Sequence, residues 1–282
     1  MSNIGIICND DINIVGHSLF LNFRMALKNI LKCEFTDIKS ITELANIQTL
    51  IIVDEHYDPN VKIWKHQEFV NELNNKNIKT IVFNFERIHS ASFPWNIDHQ
   101  RFLEQIKNLV QFVSDVDDAK KLGKTVINKQ YLSKDTVLKI DKVEKIDKVV
   151  FIGQVNNYYP TRRKVIDEAT KKLNIDVIVT DRKLTYVDFL TKLNAYKYVF
   201  NPLGTGKFIN LRFYEALKLG CIPIQEIRED MLNWYPELAE CISFSSVDQI
   251  SLDQLSNFQI DINNYCLEDY FNDIKLLEYF ND

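Results

Sequence analysis

The chain has 282 residues, 46% of them hydrophobic and 26% charged, with a formal net charge of −5. That composition is ordinary for a folded globular protein and excludes disordered and collagen-like classes, while the length suits one large or two small domains with real cores. The charge is uneven: residues 1–150 hold 20 Lys and Arg against 20 Asp and Glu, and residues 151–282 hold 14 against 19, so nothing demands a nucleic-acid partner, although the neutral half leaves room for a local basic patch. No apolar run reaches a membrane span, and residues 1–11 lack the basic-then-apolar form of a signal peptide. The expectation is a cytoplasmic protein of its host cell, without a membrane partner.

Residues 3–8 form a short apolar run that predicts a buried strand, and Asp10, Asp11, Gly16 and His17 lie in the loop after it. A helix over 19–31, strands over 34–38 and 49–53 with a short helix over 42–46 between them, and a helix over 61–75 follow. Then come a strand over 79–84, a helix over 100–109 and a short strand over 111–113. Residues 134–148 alternate Lys with acidic and apolar residues and predict a crossing between two halves. The pattern restarts at 148–152 with Gly153 behind it, then a loop, a helix over 162–173, a strand over 176–180, a helix over 186–194 and a strand over 198–201. Alternating strand and helix predicts an α/β fold of two doubly wound, Rossmann-like domains facing across a cleft. The boundaries drawn are 1–140, 141–262 and a tail over 263–282 whose aromatic and aliphatic residues recur at helical spacing. Five scattered cysteines (Cys8, Cys33, Cys221, Cys241, Cys266) match neither a disulfide framework nor zinc spacing, and read as buried thiols.

The most informative stretch is 201–225, NPLGTGKFINLRFYEALKLGCIPIQ. Its first six residues, with Pro202, Gly204, Thr205 and Gly206, are a loop; 208–219 reads as a helix stopped by Gly220, and 221–224 as a buried strand. A glycine loop leading into a helix aims backbone N–H groups and a positive dipole end at an anion. Arg212 and Glu215, three apart on that helix, can grip a phosphate and accept from sugar hydroxyls. The plainer alternative is a surface ion pair. Gly153 permits a second close approach, and Arg162 and Arg163 open the next helix, where cations are unfavourable unless an anion sits there. Most of the seven glycines lie where a ligand would approach strand ends.

The glycine loop, the Arg-x-x-Glu helix and the buried strand together resemble the donor-binding segment of GT-B glycosyltransferases. FINLRFYE (208–215) looks most like phage DNA β-glucosyltransferases, EALKLGCIPI (215–224) also resembles exostosin-like transferases, and FNFERIHSASFPW (83–95) resembles the β-glucosyltransferase stretch that carries the catalytic acid. The resemblance implies a nucleotide-sugar donor, UDP-linked by preference, bound by Gly16, Gly153, Arg162, Arg163, Gly204, Thr205, Gly206, Arg212 and Glu215, with the nucleobase near Thr180. It implies a tail packed back on the first domain. With less force it implies an acceptor hydroxyl on a hydroxymethylated base flipped out of double-stranded DNA. Two alternatives remain: a transferase acting on a glycan, lipid headgroup or protein, and a nucleotide-binding module without catalysis.

Sugar transfer to a hydroxyl needs a proton acceptor and stabilisation of the departing diphosphate. Glu86, after the strand over 79–84, is the first candidate base; His17 and Asp10 or Asp11 follow. In the family the acid is Asp, and its offset from the following Arg differs by one. Arginine clamps suffice for the diphosphate, so no cofactor is required; a divalent cation stays an open alternative. Asp115, Asp117 and Asp118 contain the DxD pattern of metal-dependent GT-A enzymes, yet their place before an Ala-Lys-Lys helix favours a helix cap, and no metal ligand is assigned. The aromatic and basic residues at 64–66 and 89–95 could meet an acceptor base or sugar ring.

Overall fold

Two five-stranded sheets, both wholly parallel, organise the molecule. The computed structural model describes residues 3–8, 18–53, 67–89, 95–136, 140–141, 143–157, 159–180, 184–251 and 261–281. The first sheet contains β1 (Ile4–Ile7), β2 (Thr36–Asp37), β3 (Thr49–Val53), β4 (Lys79–Asn84) and β5 (Leu109–Val113) in the order β2-β1-β3-β4-β5. Its helices are α1 (Ser18–Leu31), α2 (Gln67–Asn75), α3 (Trp95–Leu103) and α4 (Val116–Lys121). The second sheet contains β6 (Ile146–Gly153), β7 (Asp176–Val179), β8 (Tyr196–Asn201), β9 (Ile222–Glu226) and β10 (Ile242–Phe244), with α5 (Pro160–Leu173), α6 (Tyr186–Asn194) and α7 (Leu211–Lys218). Its order, β10-β9-β8-β6-β7, repeats the first sheet's topology. Both are doubly wound, Rossmann-like units, the pairing that defines the GT-B architecture, and in each the strand order reverses beside the first strand of the unit.

The strands form where β-branched and aromatic residues run together and both faces are covered; all five residues of β3 are buried, as are Val149–Gly153 of β6. Helix α7 starts late. The periodicity predicts a helix from 208, but Asn210 is extended at φ −80°, ψ 162° and forms the N-cap, so Phe208 and Ile209 pack as loop residues. It ends in a Schellman turn: Gly220, at φ +70°, donates to Leu217 O, and Cys221 donates to Ala216 O.

Other limits shift for local reasons. The helix expected over 100–109 is α3, which starts at Trp95 and stops at Leu103, because Leu109 pairs with Thr80 as the first residue of β5. The strand expected over 34–38 shrinks to two residues at the sheet edge, and the short helix after it is a 3-10 turn over Ile41–Asn46. The helix expected over 61–75 is seen from Gln67, residues 61–66 lying outside the described residues.

Each sheet has core clusters of its own, and the two units share a further one. One cluster joins Phe23, Phe83 and Phe112 of the first unit to Phe213, Tyr214, Met231 and Tyr235 of the second. The chain then returns: α8 (Leu267–Asp273) brings Phe271 to 5.6 Å from Phe23, ring to ring, and α9 (Glu278–Asn281) follows Leu276. No helix among the described residues is long and apolar enough to cross a membrane, and all five cysteines are free thiols.

Candidate nucleotide-binding site

The C-terminal ends of β6 and β8 are neighbours at the point where the second sheet reverses its order, the usual ligand crevice of such a sheet. Gly153 closes β6, and residues 202–206 follow β8. Two arginines reach into this crevice from the two helices beyond it, and they cross. Arg162 of α5 leans on the β8 loop, its Nε donating to Leu203 O at 3.3 Å, and a β-carbon at position 204 would lie 2.9 Å from its Nη2. Arg212 of α7 leans on the end of β6, where a β-carbon at position 153 would lie 2.6 Å from its Nη2. Each glycine is the berth of the other element's arginine. That is why residues without a side chain stand there.

The guanidinium groups are held by aromatic faces. Arg162 sits 4.0 Å above the Tyr159 ring, and Arg212 lies 5.2 Å from the centre of Phe151. Arg162 is 7% exposed and also donates from Nη1 to Gln154 O at 3.3 Å. Arg212 donates from Nη1 to Asn201 Oδ1 at 3.2 Å, and its Nε is buried without a hydrogen-bond partner. Burial, and next the Arg162 charge, push the Arg212 guanidinium down to about 9, with Glu215 pulling the other way. Two cations drawn together, one with a donor unfilled, are an arrangement that can bind an anion with several oxygens.

Glu215 is no surface partner. It is 3% exposed, and burial raises its carboxyl to about 7, offset by Tyr186 and Arg212 beside it. The Tyr186 hydroxyl is buried beside it without a hydrogen bond of ordinary geometry. The β8 loop is pinned from β9: Asn201 Nδ2 donates to Gln225 Oε1, and Leu203 N donates to Glu226 Oε2 at 2.9 Å.

Of the other residues singled out in the sequence, Thr180 joins the site through its backbone, donating to Gly153 O at 3.0 Å. Arg163 is exposed, one step round α5, and does not turn inward with Arg162. Thr205 faces the first unit: its Oγ1 donates to Glu86 Oε2 at 3.4 Å, and Arg87 Nη1 donates to Thr205 O at 3.4 Å. The structure thus brings Glu86 to the tip of the glycine loop. Asp10, Asp11, Gly16 and His17, and residues 54–66 and 90–94, lie outside the described residues.

The DxD stretch is built into the junction. Asp115 caps α4, its Oδ1 accepting from Asp118 N at 3.0 Å, while its Oδ2 accepts from Lys207 N at 2.6 Å. Asp117 accepts from Arg87 Nη2 at 3.1 Å and from Lys207 Nζ at 3.0 Å. Among the described residues no group of three or more His, Cys, Asp or Glu side chains is arranged to hold a metal ion. Sequence reasoning missed Phe151, Tyr159, Asn201 and Tyr186, which shape the site by contact; nothing in their spacing marks them, since each also fits an ordinary strand, loop or helix start.

No family model matches the sequence, and no curated protein does. Among solved structures the chain is similar to a crystal structure of an α1,3-fucosyltransferase with GDP-fucose, at 13% identity and a TM-score of 0.39, over 99% of this chain and 81% of that chain. The site therefore stands on its own geometry.

Proposed function

We propose that the protein is a glycosyltransferase that takes a sugar from a nucleoside diphosphate donor, UDP-linked by preference, and gives it to an acceptor hydroxyl. One observation carries this: Arg162 and Arg212 converge on the glycine-bounded crevice at the reversal of the second sheet. In this reading the two guanidinium groups and the N–H groups of residues 204–206 bind the diphosphate and stabilise its charge as it leaves. Glu215 accepts from the ribose hydroxyls. The acceptor oxygen attacks the anomeric carbon, the bond to the diphosphate oxygen breaks, and the acceptor proton goes to the loop after β4, where the sequence points to Glu86.

The acceptor implied by the resemblance is a hydroxymethylated base of DNA. Binding of a hydroxymethylated duplex that weakens steeply with salt supports it; its absence leaves a glycan, lipid headgroup or protein.

The test of the donor site is thermal melting with a panel of nucleoside diphosphates and nucleotide sugars, on the wild type and on Arg212→Ala. A ligand that binds only the folded state raises the melting temperature. The expected result is a rise with one nucleotide class that the variant loses. No rise with any nucleotide sinks the reading.

A further inference from the structure

The proposed transfer needs a proton acceptor, and the loop after β4 offers a second one besides Glu86. His89 stands five positions beyond the end of β4 with its side chain 36% exposed, and its Nδ1 is 2.7 Å from Asp118 Oδ1. The Asp118 side chain is 1% exposed, and its other oxygen accepts from Ile88 N. Both oxygens of one buried carboxylate thus engage consecutive residues of the loop. A carboxylate only accepts, so Nδ1 is the nitrogen that donates to it, and in the neutral ring the basic nitrogen is then Nε2. With Nδ1 held by a buried group, Nε2 is the nitrogen left for a substrate on a side chain that is part exposed.

The residues just before it face the donor loop: Glu86 accepts from Thr205, and Arg87 donates to Thr205 O. The segment 86–89 therefore has one end on the glycine loop and the other on Asp118. Glu86 has an oxygen engaged by Thr205, whereas His89 has a second ring nitrogen that Asp118 leaves free to meet a substrate. A base held in one tautomer by a buried acid behind it is the arrangement that general-base catalysis uses.

Resting on the transferase reading above, we propose that His89 is the general base of the transfer and that Asp118 positions it, leaving Glu86 to hold the donor loop through Thr205. Nε2 takes the acceptor hydroxyl's proton as the new bond from that oxygen to the anomeric carbon forms. The electrons of the breaking sugar–phosphate bond leave with the diphosphate. The imidazolium, stabilised by Asp118, returns its proton to water. The simpler role for the pair is to tie the loop to α4, which Ile88 N already does through the same carboxylate.

The experiment uses the full chain with UDP-glucose and GDP-fucose as probes, water as the acceptor, and release of the nucleoside diphosphate as the signal. His89→Asn keeps a donor where Nδ1 meets Asp118 but has no basic nitrogen, so its melting temperature and its nucleotide-induced rise should match the wild type while release falls roughly 100-fold or more. His89→Ala should lose release similarly and regain it when free imidazole is added. The proposal is overturned if His89→Asn releases diphosphate at the wild-type rate, or if imidazole restores nothing to a folded His89→Ala protein. Failure of the transferase reading looks different: the wild type itself shows no nucleotide-induced rise and no release, which also ends the role given to His89.

Discussion

Arg212 occupies the space that Gly153 leaves open, with Nη2 2.6 Å from where a β-carbon would stand, and Arg162 does the same at Gly204 with 2.9 Å. The crossed pair makes glycine at either position a requirement of the proposed anion site more than of the fold. In Gly153→Ala the first atoms to yield are the far end of a flexible arginine, with Phe151 next at 3.0 Å. The expected result is a melting temperature lower by only a few degrees. Affinity for a nucleoside diphosphate should fall about 10- to 100-fold, as when a charged hydrogen bond is lost. Calorimetric titration of Gly153→Ala and Gly204→Ala checks this, and unchanged affinity in both would falsify it.

Arg212 is held in the fold at a cost. Its Nε is buried without a partner, and Arg162 repels its charge. A shorter-charge replacement is not the informative one; an apolar isostere is. Arg212→Met should leave the ligand-free protein as stable as the wild type, or more stable by about 1 kcal/mol, while abolishing any rise in melting temperature with nucleotide. A large loss of stability in this variant would mean that the arginine holds the fold together, and the anion site would lose its main support.

Much of this was legible in the sequence because local rules and tertiary structure agree. The strand runs and the Gly220 stop depend on neighbours in the chain, and the two-sheet fold follows from them. The site was legible only as far as its glycines and arginines. Nothing in the spacing of Gly153 and Arg212, 59 positions apart, shows that one houses the other. Nor does the DxD stretch show that it accepts from Lys207; that pairing exists only once the two halves meet. The start of α7 was missed for a similar reason. Phe208 and Ile209 fit a helical stripe, yet they are buried as loop residues because Asn210 turns the chain there.

Glu215 links the site to pH. Burial raises its carboxyl to about 7, against an ordinary glutamate near 4.3. Between those values the folded protein holds a proton that the unfolded chain has released, so the folded state binds more protons. Stability from this group is therefore largest at low pH and is lost as pH rises from about 4.3 to about 7. Glu215→Gln, which cannot release a proton, should flatten that part of the profile. Melting temperatures of both proteins every half unit across the window measure it; parallel curves would show that Glu215 titrates normally.

The shared core makes a prediction about unfolding, carried by the buried pair Lys129 and Glu237. Lys129 lies in the chain just before the crossing, and Glu237 lies in the 3-10 turn Pro236–Ala239 of the second unit. Glu237 is fully buried and accepts from Tyr131 Oη at 3.0 Å and Tyr214 Oη at 2.7 Å, while Lys129 Nζ is 3.5 Å from its other oxygen. Burial holds the Lys129 amine below its usual range, with Glu237 opposing the shift. Glu237→Leu leaves that ammonium in an apolar, aromatic surround and should destabilise by about 3–5 kcal/mol. Lys129→Met in the same chain removes the stranded charge and should restore at least half of the loss. Because the two units meet in one cluster, wild type and variants should each unfold in a single transition, with fluorescence and circular dichroism coincident in denaturant. Two separate transitions in the wild type would show that the sheets unfold independently, and the junction through Tyr131, Tyr214 and Glu237 would then be a contact between domains rather than part of a common core.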